Sequence, residues 1–442
     1  MATRVLLIGK DGRTDCLAEA LAASGAELHT VCDLANHPGL AAKSKTVRWG
    51  RTDDVPMVVE FAREVRPDLV VVGPEDPLAA GVVDAIQSAL GTPCFGPTRA
   101  LAQLEASKAF TRDLLARHRI PGSLRYRAFT SIDGVEGYMR ELGQFVVKAD
   151  GLMGGKGVKV FGEHLHTIDE SVAYTASLLP RGQVVVEEKV EGEEFSLMSL
   201  CDGGHTVATI PVQDHKRAFE DDRGPNTGGM GSYSGADHRL PFLSAEDLAE
   251  AAHINALVGE ALREQLGAPY RGVLYGGFMA TRDGLRVLEY NARFGDPETM
   301  NVVPLIEGDF LAICMAVATG TLARTPMTFR KRATVCKYVV PEGYPDDPVK
   351  NELLDLSAMP KTGDDLRVYA AALRTDDDGH IVMTGSRALA VVGIADSIPA
   401  AADIAEEAIG SVRGRVMHRR DIGSPALLQR RIDHLAALRR TS

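Results

Sequence analysis

Glu289, Asn291 and Arg293 stand two residues apart in "LEYNARFGDPE". Alternate residues of a strand project to one face. A carboxylate, a carboxamide and a guanidinium would then share a side, with Tyr290 and Ala292 on the other. Carboxylate and amide oxygens are hard ligands, suited to magnesium beside a phosphate, and Arg293 can hold an anionic oxygen in the same place. A polar, solvated face has the same pattern. A second stretch, "KADGLMGGKGVKV", begins at Lys148, which closes the apolar run "FVV". Its glycines let backbone N–H groups approach phosphate oxygens closely. Lys156 lies among them, and the stem of Lys148 can lie on a sheet while its ammonium reaches a cleft. It is not a P-loop, which needs four residues between its first glycine and a GK pair followed by Ser or Thr; a plain hairpin tip is equally compatible. Lys108 opens a helix in "SKAFT". "VVVEEKVEGEEF" carries an apolar strand into acids, either a solvated strand end or a hinge whose backbone reads adenine while an acid takes ribose hydroxyls. "GKDGRTDC" runs from a strand into a helix, which aims N–H groups and a helix dipole at an anion. Asp11 in the middle glycine position of GxGxxG removes the dinucleotide fingerprint, and with it an NAD-dependent oxidoreductase. His215, in "QDHKR", reads as a polar surface group.

The elements that must position these groups follow from periodicity. "RVLLIG", "ELHTVCD", "DLVVVGPE" and "TPCFGP" are short strands, separated by helical stretches such as "CLAEALAASG" and "VPMVVEFAREVRP". This alternation predicts an N-terminal parallel α/β domain over residues 1–104, with ligands at the carboxyl ends of its strands. After the helix "SKAFTRDLLARHRIPG", ended by Pro121, come strands around "QFVVKAD", "VKVFGE", "QVVVEEKV" and "EFSLMSLCDG", an antiparallel α+β pattern. "QDHKRAFEDDRGPNTGGMGSYS" reads as a long polar loop, a kind of segment usually tied to function. A helix near Ala245–Leu266 leads to a hairpin turning at Arg282, Asp283 and Gly284. Beyond about residue 326 come strands such as "TVCKYVVP" and "ALAVVGI" and the helix "AAADIAEEAIGSVRG".

Composition bounds the function. The chain has 442 residues, 45% hydrophobic and 25% charged, as in soluble globular proteins. A net charge of −11 argues against a general binder of nucleic acid or membrane, though not against a small anion in a local basic pocket. The six cysteines form no CxxC pair, which disfavours zinc and thioredoxin-like sites and fits reduced thiols in a cytoplasm. "FLAICMAVATG" is too short to span a bilayer and reads as a buried helix.

Taken in order, these stretches resemble the glycinamide ribonucleotide synthetase family of ATP-grasp ligases over nearly the whole chain. The resemblance rests on "GPEDPLAAGVVD" (73–84), "SKAFT" (107–111), "KADGLMGGKGV" (148–158), "QDHKR" (213–217), "GPNTGGMGSYS" (224–234) and "EYNARFGDPE" (289–298). It implies a central ATP-grasp fold over residues 105–325, with a lid subdomain at about 122–190, and a small C-terminal α+β domain over 326–442. It implies ATP with Mg2+ or Mn2+, the substrates glycine and phosphoribosylamine, and a role in purine biosynthesis as a cytoplasmic monomer. Lys108 and Lys148 would then contact phosphates, with Gly154, Gly155, Lys156 and Gly157 in the lid. Glu187 and Val190 would hold adenine, Glu194 the ribose, and Glu289 and Asn291 the metal. Asp214, Lys216 and Arg293 would line the place where glycine meets the γ-phosphate; Gly9, Gly12, Arg13 and Glu75 would lie near phosphoribosylamine. Many relatives carry a loop of the form "GNGGREHA" where this chain has "GKDGRTDC". The expectation is that the altered loop still seats the 5-phosphate on free N–H groups, with added charge from Lys10 and Arg13. An ATP-grasp ligase acting on another sugar-phosphate amine, or a non-catalytic nucleotide-binding module, are the alternatives.

Overall fold

The structure is a computed structural model that describes residues 2–152 and 157–440. Its N-terminal unit is a five-stranded parallel sheet in the order Thr46–Trp49, Glu27–Cys32, Arg4–Ile8, Leu69–Val72, Cys94–Phe95. Helices cover both faces, so the central strands are apolar throughout; Val5, Leu6, Leu7 and Ile8 are fully buried. Strand order reverses between Arg4–Ile8 and Leu69–Val72, the switch point where such sheets open a crevice at their carboxyl ends. The loops beginning at Gly9 and Gly73 leave the sheet there. The helix Gly12–Ala23 follows at once, its first turn capped by Asp11, which accepts the Thr14 N–H.

The next unit is the antiparallel four-stranded sheet Tyr126–Phe129, Val184–Glu188, Phe145–Ala149, Val158–Val160. Helices Val135–Leu142 and Ile168–Leu178 supply apolar residues to its own core cluster. Facing it is a larger antiparallel sheet. Its path runs through Gly284–Asn291, Arg271–Thr281, Gly192–Asp202, Thr206–Asp214, Gly231–Ser234, Ala333–Pro341, Leu389–Ala395 and Leu366–Ala370. The chain is thus mixed α/β and α+β, as its residue patterns predict. The hairpin turn at 282–284 and the helix Ala245–Leu266 also form as predicted, the latter closed by a Ser244–Asp247 capping box. "FLAICMAVATG" forms the buried helix Phe310–Thr319. Among the described residues no helix is long and apolar enough to cross a membrane. All six cysteines are free and buried.

Two regions differ from the sequence reading. The stretch 213–234 is not a loop. Arg217–Phe219 and Arg223–Asn226 pair as a small hairpin, and Gly231–Ser234 bridges Thr206–Asp214 to Ala333–Pro341 in the large sheet. Its polar composition misleads because the partner strand lies a hundred residues on. Gly229, at φ +108°, makes the bend, and a Cβ there would meet Asp214 Oδ1 at 2.8 Å. The second region is the C-terminus, where no element was predicted: Pro425–Arg440 is a helix that packs on Gly192–Asp202 and Arg271–Thr281.

Candidate active site

The carboxyl-end crevice of the parallel sheet, the four-stranded sheet and the large sheet enclose one cleft of about 1060 Å³. Gly284–Asn291 forms part of its floor. Period-two alternation sends Glu289, Asn291 and Arg293 into the cleft, while Tyr290 and Ala292 are buried at 3% and 1% exposure. Lys216 Nζ stands 3.6 Å from Glu289 and 2.5 Å from Glu194. Lys216, ahead of the opposing cost of burial, holds the Glu289 carboxyl down at about 2. Glu289 is therefore an anion at any working pH. Burial opposes the charge of Lys216, but Glu194, Glu289 and Asp214 raise its pKa well above the ordinary lysine value.

Lys148 and Lys108 form the facing wall. Lys148 ends the strand Phe145–Ala149 and pairs with Glu187 at 2.5 Å while donating to the Leu288 carbonyl. Lys108 donates to the Gly151 carbonyl at 2.9 Å, and Asp150 accepts its backbone N–H and the Ser107 hydroxyl. Burial lowers the Lys108 pKa. Glu187 is 2% exposed and shared between Lys148 and Arg112, so its carboxylate is committed and only its backbone remains for a base. Val190 lines the cleft just beyond, in the turn from Val184–Glu188 to Gly192–Asp202. Gly157 is buried and lines the cleft; Gly154, Gly155 and Lys156 lie outside the described residues.

Deeper in, Asp214 and Glu298 share a buried corner. Burial raises both carboxyls, Asp214 well above its usual range, and Glu298 adds to the rise of Asp214. The Tyr275 hydroxyl donates to Glu298 at 2.7 Å. Arg293 spans from this corner to the N-terminal unit, 3.1 Å from Glu75 and 3.0 Å from Glu105. Burial pushes the Glu105 carboxyl up to about 7 against the pull of Arg293.

Part of the N-terminal loop's set of N–H groups is taken up within the fold. Asp11 accepts the Thr14 N–H at 2.9 Å, Asp296 accepts that of Arg13 at 3.3 Å, and Gly9 N–H donates to the Val31 carbonyl. An aspartate placed one residue before a helix is a good cap, and here it takes the Thr14 donor. Arg13, 4% exposed, bonds Asp11 and the Phe294 carbonyl, and Lys10 pairs with Asp33. Gly12 packs under Tyr338, where a Cβ would meet the hydroxyl at 2.5 Å.

Several site groups escaped the sequence reading. Arg112 lies four residues after Lys108 on one helix face, a signal that was available. Asp296 and Glu298 lie in "FGDPE", directly after the strand that carries Glu289 and Asn291. Glu105 and Arg387 reach the cleft through space alone; Arg387 stacks on Tyr338 at 4.5 Å and pairs with Asp296 at 3.1 Å. His215 is not a surface group: it is 1% exposed, and neither ring nitrogen has a hydrogen-bond partner. Burial, with Arg419 and Arg431 nearby, lowers its pKa to about 3, opposed by Asp222 and Asp421.

That depression fixes a sign. Between an ordinary pH of 6.5 and about 3, the unfolded chain binds a proton at His215 that the folded chain refuses. Stability from this group is present above 6.5 and lost on acidification through that window. In His215→Gln, the loss of urea midpoint between pH 7 and pH 5 should be smaller than in the parent. An equal loss in both proteins would show that the imidazole titrates normally when folded.

The sequence profiles of three phosphoribosylglycinamide synthetase domains match the chain: the N domain over residues 3–105, the ATP-grasp (A) domain over 106–299 and the C domain over 334–425. A phosphoribosylamine–glycine ligase of Methanocella arvoryzae is 43% identical over 438 residues, 99% of this chain and 100% of the relative. One from Methanocaldococcus jannaschii is 44% identical over 449 residues, covering 99% and 100%. The crystal structure of a phosphoribosylamine–glycine ligase from Thermotoga maritima superposes with a TM-score of 0.79 at 28% identity, covering 95% of this chain and all of that one.

Proposed function

The chain belongs to the phosphoribosylglycinamide synthetase family, and from that premise we infer that its cleft joins glycine to phosphoribosylamine at the expense of ATP. The products are glycinamide ribonucleotide, ADP and phosphate, a step of purine biosynthesis. A carboxylate is a poor electrophile, so the γ-phosphoryl group first passes to a glycine carboxylate oxygen. The amine then attacks the carbonyl of that acyl phosphate; phosphate leaves with the C–O bond electrons and the amine loses a proton. No enzyme nucleophile is needed, which fits six buried thiols that take no part.

The observation that carries this reading is the meeting in one cleft of a hard-oxygen pair, Glu289 and Asn291, with three lysines, Lys108, Lys148 and Lys216. Glu289, kept ionised, and the Asn291 carboxamide fit Mg2+ or Mn2+. The metal would neutralise charge on the phosphates. Lys108 and Lys148 hold triphosphate oxygens, the backbone at Glu187 and Val190 the adenine, and Glu194 the ribose. Lys216 and Arg293 stabilise the charge that moves between γ-phosphate and glycine, by positioning and electrostatics. Asp214 and Glu298 form the seat for the glycine ammonium: two buried carboxyls short of counter-charge suit a small cation.

The amine's pocket is walled by Lys10, Asp11, Glu75, Asp296, Tyr338 and Arg387. Its acids suit hydrogen-bond donors, the ribose hydroxyls and the amine itself. Lys10 and Arg387, paired with Asp33 and Asp296, are the cations of this wall that would turn to the 5-phosphate. Residues 1–104 then supply one wall of this pocket, 105–325 the nucleotide and glycine sites, and 326–442 the opposite wall. The enzyme acts in the cytoplasm as a monomer, so sedimentation at micromolar concentration should report a single chain.

ADP release with glycine, with and without freshly generated phosphoribosylamine, tests the assignment. Equal yields of ADP, phosphate and glycinamide ribonucleotide are expected. Consumption of a different amino sugar phosphate in preference to phosphoribosylamine would move the chain to another substrate. For the glycine seat, Asp214→Asn and Glu298→Gln should each raise the KM for glycine by about 10- to 100-fold, one charge-assisted contact's worth. The KM for ATP should change little. If instead the ATP requirement rises and that for glycine does not, the corner serves the nucleotide.

A further inference from the structure

We propose that Arg431 and His434, on the C-terminal helix Pro425–Arg440, are positioning residues for the nucleotide's ribose and phosphate edge. The proposal rests on the assignment of Glu194 and Lys216 to that edge. The matched C-domain profile ends at residue 425, where this helix begins.

Glu194 and Lys216 form a pair closed at 2.5 Å. Each partner has a chain neighbour held by the C-terminal segment. On one side, Glu193 and Glu194 are successive residues of a strand and face opposite ways. Glu194 opens into the cleft, whereas Glu193 is 2% exposed. Glu193 accepts from His434 Nδ1 at 2.6 Å and pairs with Arg431 at 3.4 Å. Gln213 ties the two acids together: its amide donates to the Glu194 carbonyl at 2.9 Å and to Glu193 at 3.4 Å, and its oxygen accepts the Tyr233 hydroxyl.

On the other side, Lys216 runs directly into the small hairpin Arg217–Asn226. Arg431 also pairs with Asp222 in that hairpin, and Arg430 with Asp221 at 2.8 Å. Arg419, 1% exposed, donates to the Arg217 carbonyl at 3.2 Å and to Asp222 at 2.9 Å, while Asp421 holds it at 2.7 Å. One arginine thus reaches both the strand behind Glu194 and the hairpin after Lys216. Glu193 and Arg419 are almost wholly buried and Arg431 is largely so, so their contacts fix geometry, whereas Arg430–Asp221 is a surface pair of little weight. Farther along the same helix, Arg439 pairs with Asp247 at 2.7 Å, at the start of Ala245–Leu266 and away from the cleft. The helix therefore has a near anchor, beside the pair, and a remote one.

The two anchors give the test. In the double variant Arg431→Met/His434→Leu, the KM for ATP should rise by about tenfold, a loss of nucleotide binding, while the KM for glycine stays within about twofold. Arg431→Lys, which keeps the charge, should recover part of the affinity. Arg439→Met should lower the melting temperature and leave the KM for ATP unchanged. Glu193→Gln provides a second variant that softens the near anchor without stranding a buried carboxylate, and should raise the KM for ATP in the same direction. The proposal is overturned if the near variants melt earlier but bind ATP normally, or if Arg439→Met raises the KM for ATP as much as they do; the helix would then be a general stabiliser. Glu194→Ala separates the two layers. If it leaves the KM for ATP unchanged, the assignment of the ribose edge fails; if it raises that KM while the near variants do not, only the positioning role fails.

Discussion

Glu289→Gln should lower kcat by about three orders of magnitude at ordinary magnesium, with the fold intact. The substitution keeps the shape and removes one unit of charge. In the parent, Lys216 at 3.6 Å keeps this carboxyl ionised down to a pH of about 2, so the oxygen offered to a metal is an anion throughout the useful range. The amide is a weaker ligand and no longer balances Lys216, which keeps Glu194 alone as an ion-pair partner. Loss of metal-assisted charge neutralisation at a transferring phosphoryl group is worth several kcal/mol. Asn291→Ala should act in the same direction with a smaller effect, about a hundredfold. Both side chains face the cleft, so melting temperatures should stay near the parent's. ADP release followed over a magnesium titration separates weak metal binding from a lost catalytic role: activity that returns at high magnesium identifies ligands. Near-normal turnover in both variants at low magnesium would remove the metal assignment.

The second large effect is on stability and activity together. Arg293→Met should cost about 3–5 kcal/mol, the usual price of stranding a buried ion-pair partner, and reduce turnover by at least about a hundredfold. The guanidinium holds two acids from different units, Glu75 and Glu105, and donates to the Phe294 carbonyl. Arg293→Lys should restore only part, because an ammonium cannot serve three acceptors in a fork. The pH dependence has a definite sign. Glu105, raised to about 7 when folded, keeps a proton that the unfolded chain has lost above its ordinary value of 4.5. The contribution of Glu105 to native stability therefore falls as pH rises from 4.5 to about 7 and is flat beyond. Without Arg293 the folded value climbs further and Glu75 loses the larger of the two arginine charges that lower it, so the falling limb extends above pH 7. The deficit of Arg293→Met relative to the parent should be larger at pH 8.5 than at pH 6. A deficit independent of pH would mean that the two acids are solvated in the folded protein.

What the sequence made legible is local. Period two and a turn at 282–284 put Glu289, Asn291 and Arg293 on one face, and that face lines the cleft. The short strands near the N-terminus, each followed by helical spacing, announced the parallel sheet. What stayed hidden depends on pairing across distance. Gly231–Ser234 looked like loop because its apolar partner, Ala333–Pro341, is supplied a hundred residues later. His215 looked exposed because nothing nearby in sequence shows that Arg419 and the C-terminal helix close over it. The cap at Asp11 is likewise visible only once the geometry is known: this acid accepts the Thr14 N–H, one donor of the loop expected to seat a phosphate.

The large sheet has a consequence for dissecting the molecule. Its strands Gly231–Ser234 and Ala333–Pro341 share a ladder, so backbone hydrogen bonds cross the sequence boundary near residue 326 without a break. Fragments cut there would each expose a raw sheet edge, an open template for aggregation. Expressed apart, neither half should remain in solution as a defined species. Co-expressed, they should find each other and copurify, as two halves of a zipper do, and the split enzyme should regain turnover without a peptide bond at the cut.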